Sequence, residues 1–303
     1  MSTLRTTASG REYVLPAAPA VSAELAGYEI RRHYELPSQF YALWLDPTMA
    51  YTCALYEDGD ELGRAQQRKL DWLARAAGVR EGARVLDVGC GWGGMLQRLV
   101  QEHGVSEALG ITISAEQARF ARERCAGLPV AVLVESWEAH EPERPYDAIV
   151  SAGAFEHFAR DRASREARVA TYRQFFARCH RLLAPGGRIG LQSVAKGGAR
   201  LDRQAIEDFR VVDEAFPESA IPWPAEILLA SERHFDVREC VFHDQHYVRT
   251  ISAWLERLAA VREQGVAMIG EERFELFVGY LEAARRRLLA GHATLMRLSL
   301  RRI

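Results

Sequence analysis

Residues 85–94 read VLDVGCGWGG, a short apolar run that ends in alternating glycines. A buried strand followed by a glycine-rich turn lets a nucleotide-bearing ligand approach the main chain directly, because glycine adopts backbone angles closed to other residues. The same run could also form a tight strand-to-helix connection with no ligand. We take a nucleotide-binding enzyme as the starting hypothesis.

The segment that should hold a ribose narrows the choice of nucleotide. Dinucleotide-binding folds usually carry an Asp or Glu at the end of the second strand, where it accepts from ribose hydroxyls. Here that place reads GITIS (110–114) and has no carboxylate. The glycine spacing also departs from Gly-x-Gly-x-x-Gly. NAD is therefore disfavoured.

Strands and helices alternate along the chain. Strands are predicted at 85–88, 108–113, 130–134, 148–151, 188–194, 237–247 and 294–302. Helical patterns lie between them, and Ser114 with Gln117 forms a capping box at the start of one helix. This order predicts an α/β fold: a doubly wound, mostly parallel seven-stranded sheet with helices on both faces and an antiparallel edge strand.

The sequence divides into an arm and one domain. Residues 1–25 are rich in Ala, Pro, Ser and Thr and are predicted to be a flexible arm, whereas 26–303 form a single domain. Residues 26–80 are predicted to be an N-terminal helical cap. Residues 197–230 contain glycines and prolines that break any single regular element, so we expect an inserted, lid-like segment there.

Composition excludes several classes of protein. Thirty-nine Lys and Arg nearly balance 41 Asp and Glu, giving a net charge of −2, so nucleic-acid binding is not favoured. Five scattered cysteines without a Cys-x-x-Cys pair indicate neither a disulfide framework nor a metal site, and a reducing cytoplasm fits them best. Nowhere do 18 apolar residues run together, so no transmembrane segment is expected. Nothing in the sequence indicates an oligomeric state.

Several ordered segments resemble known enzymes. Residues 87–93, Tyr146-Asp147 and 183–187 are similar to class I S-adenosylmethionine-dependent methyltransferases. The resemblance narrows to the family of cyclopropane-fatty-acid synthases and mycolic acid cyclopropane synthases. It is carried from about residue 30 to the C-terminus by HYEL (33–36), FY (40–41), WLDP (44–47), YTC (51–53), GITIS (110–114), SWE (136–138) and GAFEHF (153–158).

The resemblance implies S-adenosylmethionine as the cofactor and assigns residues to it. Gly89 and Gly91 would pass close to its methionine part, and Tyr51 would contact the carboxylate end. Thr112 and Gln117 would hold the ribose, since a glutamine amide both donates and accepts. Trp137 would lie against the adenine. The full predicted set is Tyr51, Asp87, Gly89, Gly91, Thr112, Gln117, Ser136, Trp137 and Glu138.

The reacting end departs from the family at one position. Transfer of a methyl group to an alkene carbon creates a carbocation, so a base must then remove a proton. In the family this base is thought to be bicarbonate held by a Cys, a Glu, a His and a Tyr. Cys53, Glu156 and Tyr247 match, but Gln192 stands where the family has His. Gln192 can hydrogen-bond an anion but cannot carry a positive charge.

Two explanations of Gln192 stay open. Bicarbonate is retained with weaker fixation, or the pocket is refitted for another acceptor and Glu156 acts directly as the base. We favour the second, since residues 160–170 also look like an addition to the family pattern. The predicted catalytic set is Glu156, Tyr247, Cys53 and Gln192.

The sequence says less about the pocket for the acceptor, the molecule that receives the methyl group. Tyr34, Phe40 and His157 are predicted to line it. His246 and Tyr247 fall on one predicted strand and should point to opposite faces, so we expect only Tyr247 to reach the pocket.

Three functions follow as hypotheses. The first is a transferase that moves a methyl or methylene group to a carbon of an unsaturated, lipid-like acceptor. The second is a methyltransferase acting on carbon or nitrogen of a small specialised metabolite, with the bicarbonate site lost at Gln192. The third is a cofactor-binding protein without catalysis, which the presence of Glu156, Tyr247 and Cys53 disfavours.

Overall fold

A seven-stranded sheet organises the chain in the computed structural model, which describes residues 4–6, 12–14, 36–160, 163–215 and 220–303. Its strands are β3 (Arg84–Val88), β4 (Glu107–Thr112), β5 (Val130–Val134), β6 (Tyr146–Ala152), β7 (Leu183–Lys196), β8 (Phe235–Phe242) and β9 (Ala293–Arg302). Their order in the sheet is β5-β4-β3-β6-β7-β9-β8, with parallel pairing from β5 through β7. The predicted mostly parallel, seven-stranded sheet is confirmed.

The antiparallel strand is the last one, β9. It pairs antiparallel with β7 on one side and with β8 on the other, so it lies one place in from the edge that β8 forms. The predicted antiparallel strand at this side of the sheet is confirmed. Of the predicted arm, the structure describes two short strands, β1 (Leu4–Thr6) and β2 (Glu12–Val14), which pair antiparallel as a small separate sheet.

Helices cover the sheet on both faces. They are α1 (Ser38–Ala42), α2 (Leu62–Ala76), α3 (Gly94–Gln101), α4 (Ala115–Arg124), α5 (Arg165–Leu182), α6 (Arg203–Ala215), α7 (Pro224–Ser231), α8 (Asp244–Ala260), α9 (Arg262–Ile269) and α10 (Glu271–Leu289). Two examples show why they pack as they do. Strand β3 reads RVLDV and is buried on both faces, as expected for a parallel strand covered by helices. Gly190 of β7 faces the backbone of α2, where a Cβ would come within 2.4 Å of the Leu73 carbonyl oxygen.

One predicted boundary is wrong. The strand predicted over 237–247 ends at Phe242, and α8 begins at Asp244, so His246 and Tyr247 lie on a helix rather than on opposite faces of a strand. The Asp244 carboxylate fixes the start of α8 against β9, because it accepts hydrogen bonds from the Thr294 hydroxyl and from the Leu295 N–H. This long-range contact was not visible in the local pattern.

The segment 197–230 is not one regular element, as its prolines and glycines predicted. Its described residues include α6 and α7. The buried carboxylate of Asp208 on α6 forms an ion pair with the partly exposed Arg286 of α10, with Arg286 Nη2 2.8 Å from Oδ1. Among the described residues, no helix has the length and apolar content needed to cross a membrane.

Candidate active site

Two neighbouring cavities lie at the carboxyl ends of the central strands, where open α/β sheets bind ligands. The large cavity has a volume of about 650 Å³ and is lined by the ends of β3, β4 and β6. The small cavity has a volume of about 140 Å³ and is lined by β7, β9 and the helices α6, α8 and α10. Four residues line both cavities: Tyr51, Thr52, Gly153 and His157. The two cavities therefore share a wall formed by these four residues.

The glycine turn after β3 forms one wall of the large cavity. Gly89 has φ +80°, and a Cβ there would come within 2.5 Å of the Ala154 Cβ. Gly91 has φ +52°, and its missing Cβ would meet no protein atom within 4 Å. Glycine at 89 thus allows two loops to pack tightly, whereas glycine at 91 leaves open space beside the backbone.

Polar side chains from the end of β4 form a second wall. The Thr112 hydroxyl donates to Gln117 Oε1 at 3.0 Å, and the Ser114 side chain accepts from the Gln117 N–H at 3.2 Å. Ser114 is the N-cap, as predicted, but the capping box is incomplete, because the Gln117 side chain bonds Thr112 instead of the Ser114 backbone. The Gln117 amide is thereby held at the cavity.

Aromatic residues form the far wall. The Trp137 ring packs 5.3 Å from the ring of Phe158 and edge-on to Phe175 at 5.5 Å, which leaves part of the indole on the cavity surface. Ser136 and Glu138 lie beside it, with the Glu138 N–H donating to the Ser136 hydroxyl. The structure brings the nine residues predicted for the cofactor to this one cavity: Tyr51, Asp87, Gly89, Gly91, Thr112, Gln117, Ser136, Trp137 and Glu138.

A buried lysine, Lys69, and a buried aspartate, Asp87, both line the large cavity and interact electrostatically. Burial raises the pKa of Asp87 to about 7, and Lys69 opposes that shift. Burial also lowers the pKa of Lys69 to about 8, while its Nζ donates to the Thr52 hydroxyl at 2.9 Å. Sequence reasoning missed Lys69, although it is one of only two lysines in the chain.

Glu156 is the acidic group of the small cavity. It lies on a single 3₁₀ turn, Phe155–His157, after β6. Its Oε1 accepts from the Val194 N–H of β7 at 2.8 Å, while Oε2 is buried and has no hydrogen-bond partner within the described ranges. Burial raises the pKa of Glu156 to about 7, against hydrogen bonds that lower it. The side chain can therefore gain or lose a proton near neutral pH.

The other three predicted catalytic residues line the same cavity. Cys53 is fully buried, and burial raises the pKa of its thiol to about 11, so the sulfur keeps its proton. Tyr247 reaches the cavity from α8, although the strand predicted for it was wrong. His246, one residue earlier, accepts instead from the Tyr56 N–H at 2.9 Å. Gln192 projects from β7, and its Oε1 accepts from Arg297 Nε at 2.8 Å.

The predicted acceptor residues have three different outcomes. His157 lines both cavities, and burial lowers its pKa to about 4, so the ring is neutral. Phe40 lines neither cavity, and its prediction was wrong: the ring is fully buried and packs edge-on against Phe277 at 5.4 Å. The short helix α1 lies beneath α9 and α10, which places Phe40 in an aromatic core. Tyr34 lies outside the described residues.

Sequence reasoning missed two further residues of this site. Tyr280 lines the small cavity from α10 and hydrogen-bonds Tyr51, while burial raises its pKa to about 12. Arg297 of β9 is fully buried behind Gln192. The sequence held one signal for Arg297, which is its place among the alternating apolar residues of the strand predicted at 294–302.

Comparisons with solved structures identify the class of fold. The cyclopropane synthase MmaA2 from Mycobacterium tuberculosis superposes with a TM-score of 0.84 over 91% of this chain and 98% of that one, at 28% identity. The cyclopropane synthase CmaA1 in complex with SAH and CTAB matches with a TM-score of 0.82, at 29% identity and the same coverage. Coclaurine N-methyltransferase, at 19% identity, shares the fold alone. The sheet and its cavities thus define a protein with the methyltransferase fold.

Sequence comparisons then give the family. The family model described as "Mycolic acid cyclopropane synthetase" matches residues 22–298, and the chain belongs to this family. Cyclopropane mycolic acid synthase 1 of Mycobacterium tuberculosis is 33% identical over 83% of this chain and 89% of its own length. The cyclopropane-fatty-acyl-phospholipid synthase of Escherichia coli is 35% identical over 84% of this chain. The chain spans 62% of the length of that relative.

Proposed function

We propose that this protein is an S-adenosylmethionine-dependent transferase that moves a methyl or methylene group to a carbon of an unsaturated, lipid-like acceptor. Membership of the family supports the reaction class, and a related structure holds S-adenosylhomocysteine. The observation that carries the proposal is the junction of the two cavities, where a nucleoside-sized space meets a smaller space lined by the buried carboxyl group of Glu156.

The large cavity fits the cofactor by chemistry as well as by size. The open space beside Gly91 admits a ligand against the backbone, Gln117 and Thr112 suit a ribose diol, and the exposed part of Trp137 suits a purine. Tyr51 lies where the large cavity meets the small one, next to the expected amino-acid end. When bound, the cofactor supplies an electrophilic methyl group on a sulfonium.

The residues of the small cavity supply the remaining chemistry. The alkene π electrons of the acceptor would form the new carbon–carbon bond to this methyl carbon as its bond to sulfur breaks, which releases S-adenosylhomocysteine and leaves a carbocation on the neighbouring acceptor carbon. Glu156 then takes a proton, and the released C–H electron pair closes a ring or restores an alkene. The free, buried Oε2 of Glu156 and its raised pKa suit this role, with Glu156 as the direct base. Bicarbonate stays the alternative base.

The walls of the small cavity favour an apolar acceptor. Phe209 and Val212 of α6 line it together with Leu288 and Leu295, beside the charged residues Lys196, Asp213 and Arg287. Water is a competing nucleophile for a carbocation, so an apolar wall protects the intermediate. Because α6 belongs to residues 197–230, we propose that this segment covers the reacting cavity as a lid.

The five free cysteines, one of them exposed at residue 240, support a reducing compartment such as the cytoplasm.

The direct test incubates the purified protein with S-adenosylmethionine and vesicles of a monounsaturated phosphatidylglycerol. Mass spectrometry of the acyl chains should show an added CH₂, with an equal amount of S-adenosylhomocysteine. Saturated vesicles are the matched control and should give neither product. Cofactor binding without transfer to any unsaturated acyl chain would contradict the lipid acceptor and favour a small metabolite.

A further inference from the structure

A buried arginine stands directly behind the reacting cavity. Arg297 of β9 is the cross-strand partner of Gln192 on β7, and its side chain has no solvent exposure. Among the described residues no carboxylate pairs with its guanidinium. An unpaired buried cation is costly, and burial accordingly lowers the pKa of Arg297. The buried guanidinium of Arg297 must therefore make other interactions that offset the free-energy cost of its burial.

The guanidinium is fixed by five acceptors, one of which is the Cys53 sulfur, 3.6 Å from Nη2. Its Nε donates to Gln192 Oε1 at 2.8 Å, and Nη1 donates to His243 Nδ1. Its Nη2 donates to the carbonyl oxygens of Cys53 and Ala54, at 3.1 and 3.0 Å. These contacts join β7, the start of α8 and the Cys53 segment, so the planar group has no freedom to turn.

This arrangement sets the orientation of the Gln192 amide. Arginine only donates hydrogen bonds, so Gln192 must present its oxygen to Arg297. The reversed amide would point two N–H groups at a cation and leave a buried donor unpaired. Gln192 lines the small cavity, and the end of its amide that does not face Arg297 is the NH₂ group.

We propose that Arg297 is a positioning residue of the reacting cavity, which locks Gln192 so that its amide NH₂ serves there as a fixed hydrogen-bond donor. The donor faces the same cavity as Glu156, whose carboxyl group is held two residues along β7 by the Val194 N–H. A fixed N–H donor stabilises an anionic base without being able to deliver a proton at neutral pH. This role rests on the proposed function.

A double-mutant cycle tests whether Arg297 acts through Gln192. Gln192→Met and Arg297→Met should each lower kcat at least about 30-fold, while KM for S-adenosylmethionine stays within about threefold. The double variant should be no more than about threefold worse than Gln192→Met, because both changes remove the same donor. A double variant whose loss of kcat equals the product of the two single losses would overturn the proposal. An Arg297→Met variant with kcat within threefold of wild type would also overturn it.

Two further variants guard against a simple loss of fold. Ser299→Ala removes another buried contact two residues along the same strand, the hydrogen bond to the Ala76 carbonyl, and should leave kcat unchanged. Gln192→Glu keeps an acceptor for Arg297, removes the donor and adds a carboxylate that pairs with the guanidinium, so it should lose at least as much kcat as Gln192→Met. Wild-type kcat in Gln192→Glu would overturn the proposal even if Arg297→Met failed to fold.

An NMR measurement needs no acceptor and separates this proposal from the proposed function. The side-chain NH₂ resonances of Gln192, assigned by their loss in Gln192→Met, should shift in Arg297→Met and stay in place in Ser299→Ala. Unchanged resonances in Arg297→Met would show that Arg297 does not set the amide, whether or not the wild type turns over lipid.

Discussion

The large and small cavities share a wall but are built from different parts of the chain. The large cavity is lined mainly by turns that directly follow β3, β4 and β6, so its residues come from short continuous motifs. The small cavity combines Cys53, near the start of the domain, with helices and a strand some 200 residues later. The first is set by local sequence, the second by tertiary packing.

This difference suggests a division of labour. Apart from the buried Asp87 and Lys69, the large cavity offers backbone and neutral polar groups such as Gly91, Thr112 and Gln117, which we propose hold the cofactor. The small cavity holds ionisable groups whose pKa values are shifted by burial, namely Glu156, Cys53 and Tyr280. Changes in the small cavity should therefore affect turnover, and changes in the large cavity should affect cofactor affinity.

The largest expected effect is on turnover. Glu156→Gln keeps the size of the side chain but removes the base, so kcat should fall by about 10³-fold or more. Release of S-adenosylhomocysteine in the presence of monounsaturated vesicles measures it. Glu143→Gln, an exposed carboxylate on the surface, is the control and should keep wild-type kcat. Turnover within tenfold of wild type in Glu156→Gln would remove Glu156 as the base.

The glycine turn gives the next largest effect, and the chain offers a matched pair. Gly89 and Gly127 have nearly equal φ angles, +80° and +81°, but only Gly89 faces a close neighbour. Gly127→Ala should cost only the left-handed strain, about 1–2 kcal/mol. Gly89→Ala adds a clash with Ala154 and should cost about 3–4 kcal/mol and lower cofactor affinity at least about 100-fold. Equal effects on unfolding and affinity would contradict the packing described for Gly89.

The small cavity should also make stability depend on pH. Burial raises the pKa of Glu156 in the folded state to about 7, from 4.5, so the folded protein binds more protons between these values. The free energy of unfolding should therefore fall as pH rises from about 4.5 to about 7, by on the order of 3 kcal/mol for this group. Glu156→Gln should remove that part of the slope in urea titrations. An unchanged slope would show that the carboxyl group titrates normally.

The smallest effect concerns the cysteines. Cys53 should not react with iodoacetamide at pH 8 in the native protein, because its pKa is about 11 and it is fully buried. Exposed Cys240 should be labelled first, with no change in turnover. Mass mapping of the labelled protein checks both. Rapid loss of activity through Cys53 labelling would show that the thiol is accessible and ionised.

The same division explains how much the sequence could predict. The strands and the Ser114 cap follow from local motifs, as does the gathering of the nine predicted cofactor residues at one cavity, so the sequence predicts their placement well. The prediction for Phe40 was wrong because its ring is buried by the packing of α9 and α10, which the local sequence does not show. Tyr247 was placed on the wrong element, since the Asp244 contact to β9 ends the strand. Arg297 was missed because its partners lie as far as 244 residues away along the chain.

Calorimetry with S-adenosylhomocysteine tests the division of labour most directly. The wild type and Glu156→Gln should bind it with affinities that agree within about threefold, while Trp137→Ala should bind it at least tenfold more weakly. If Glu156→Gln lost binding as severely as Trp137→Ala, the two cavities would form one binding site, and Glu156 would no longer be a base separate from the cofactor.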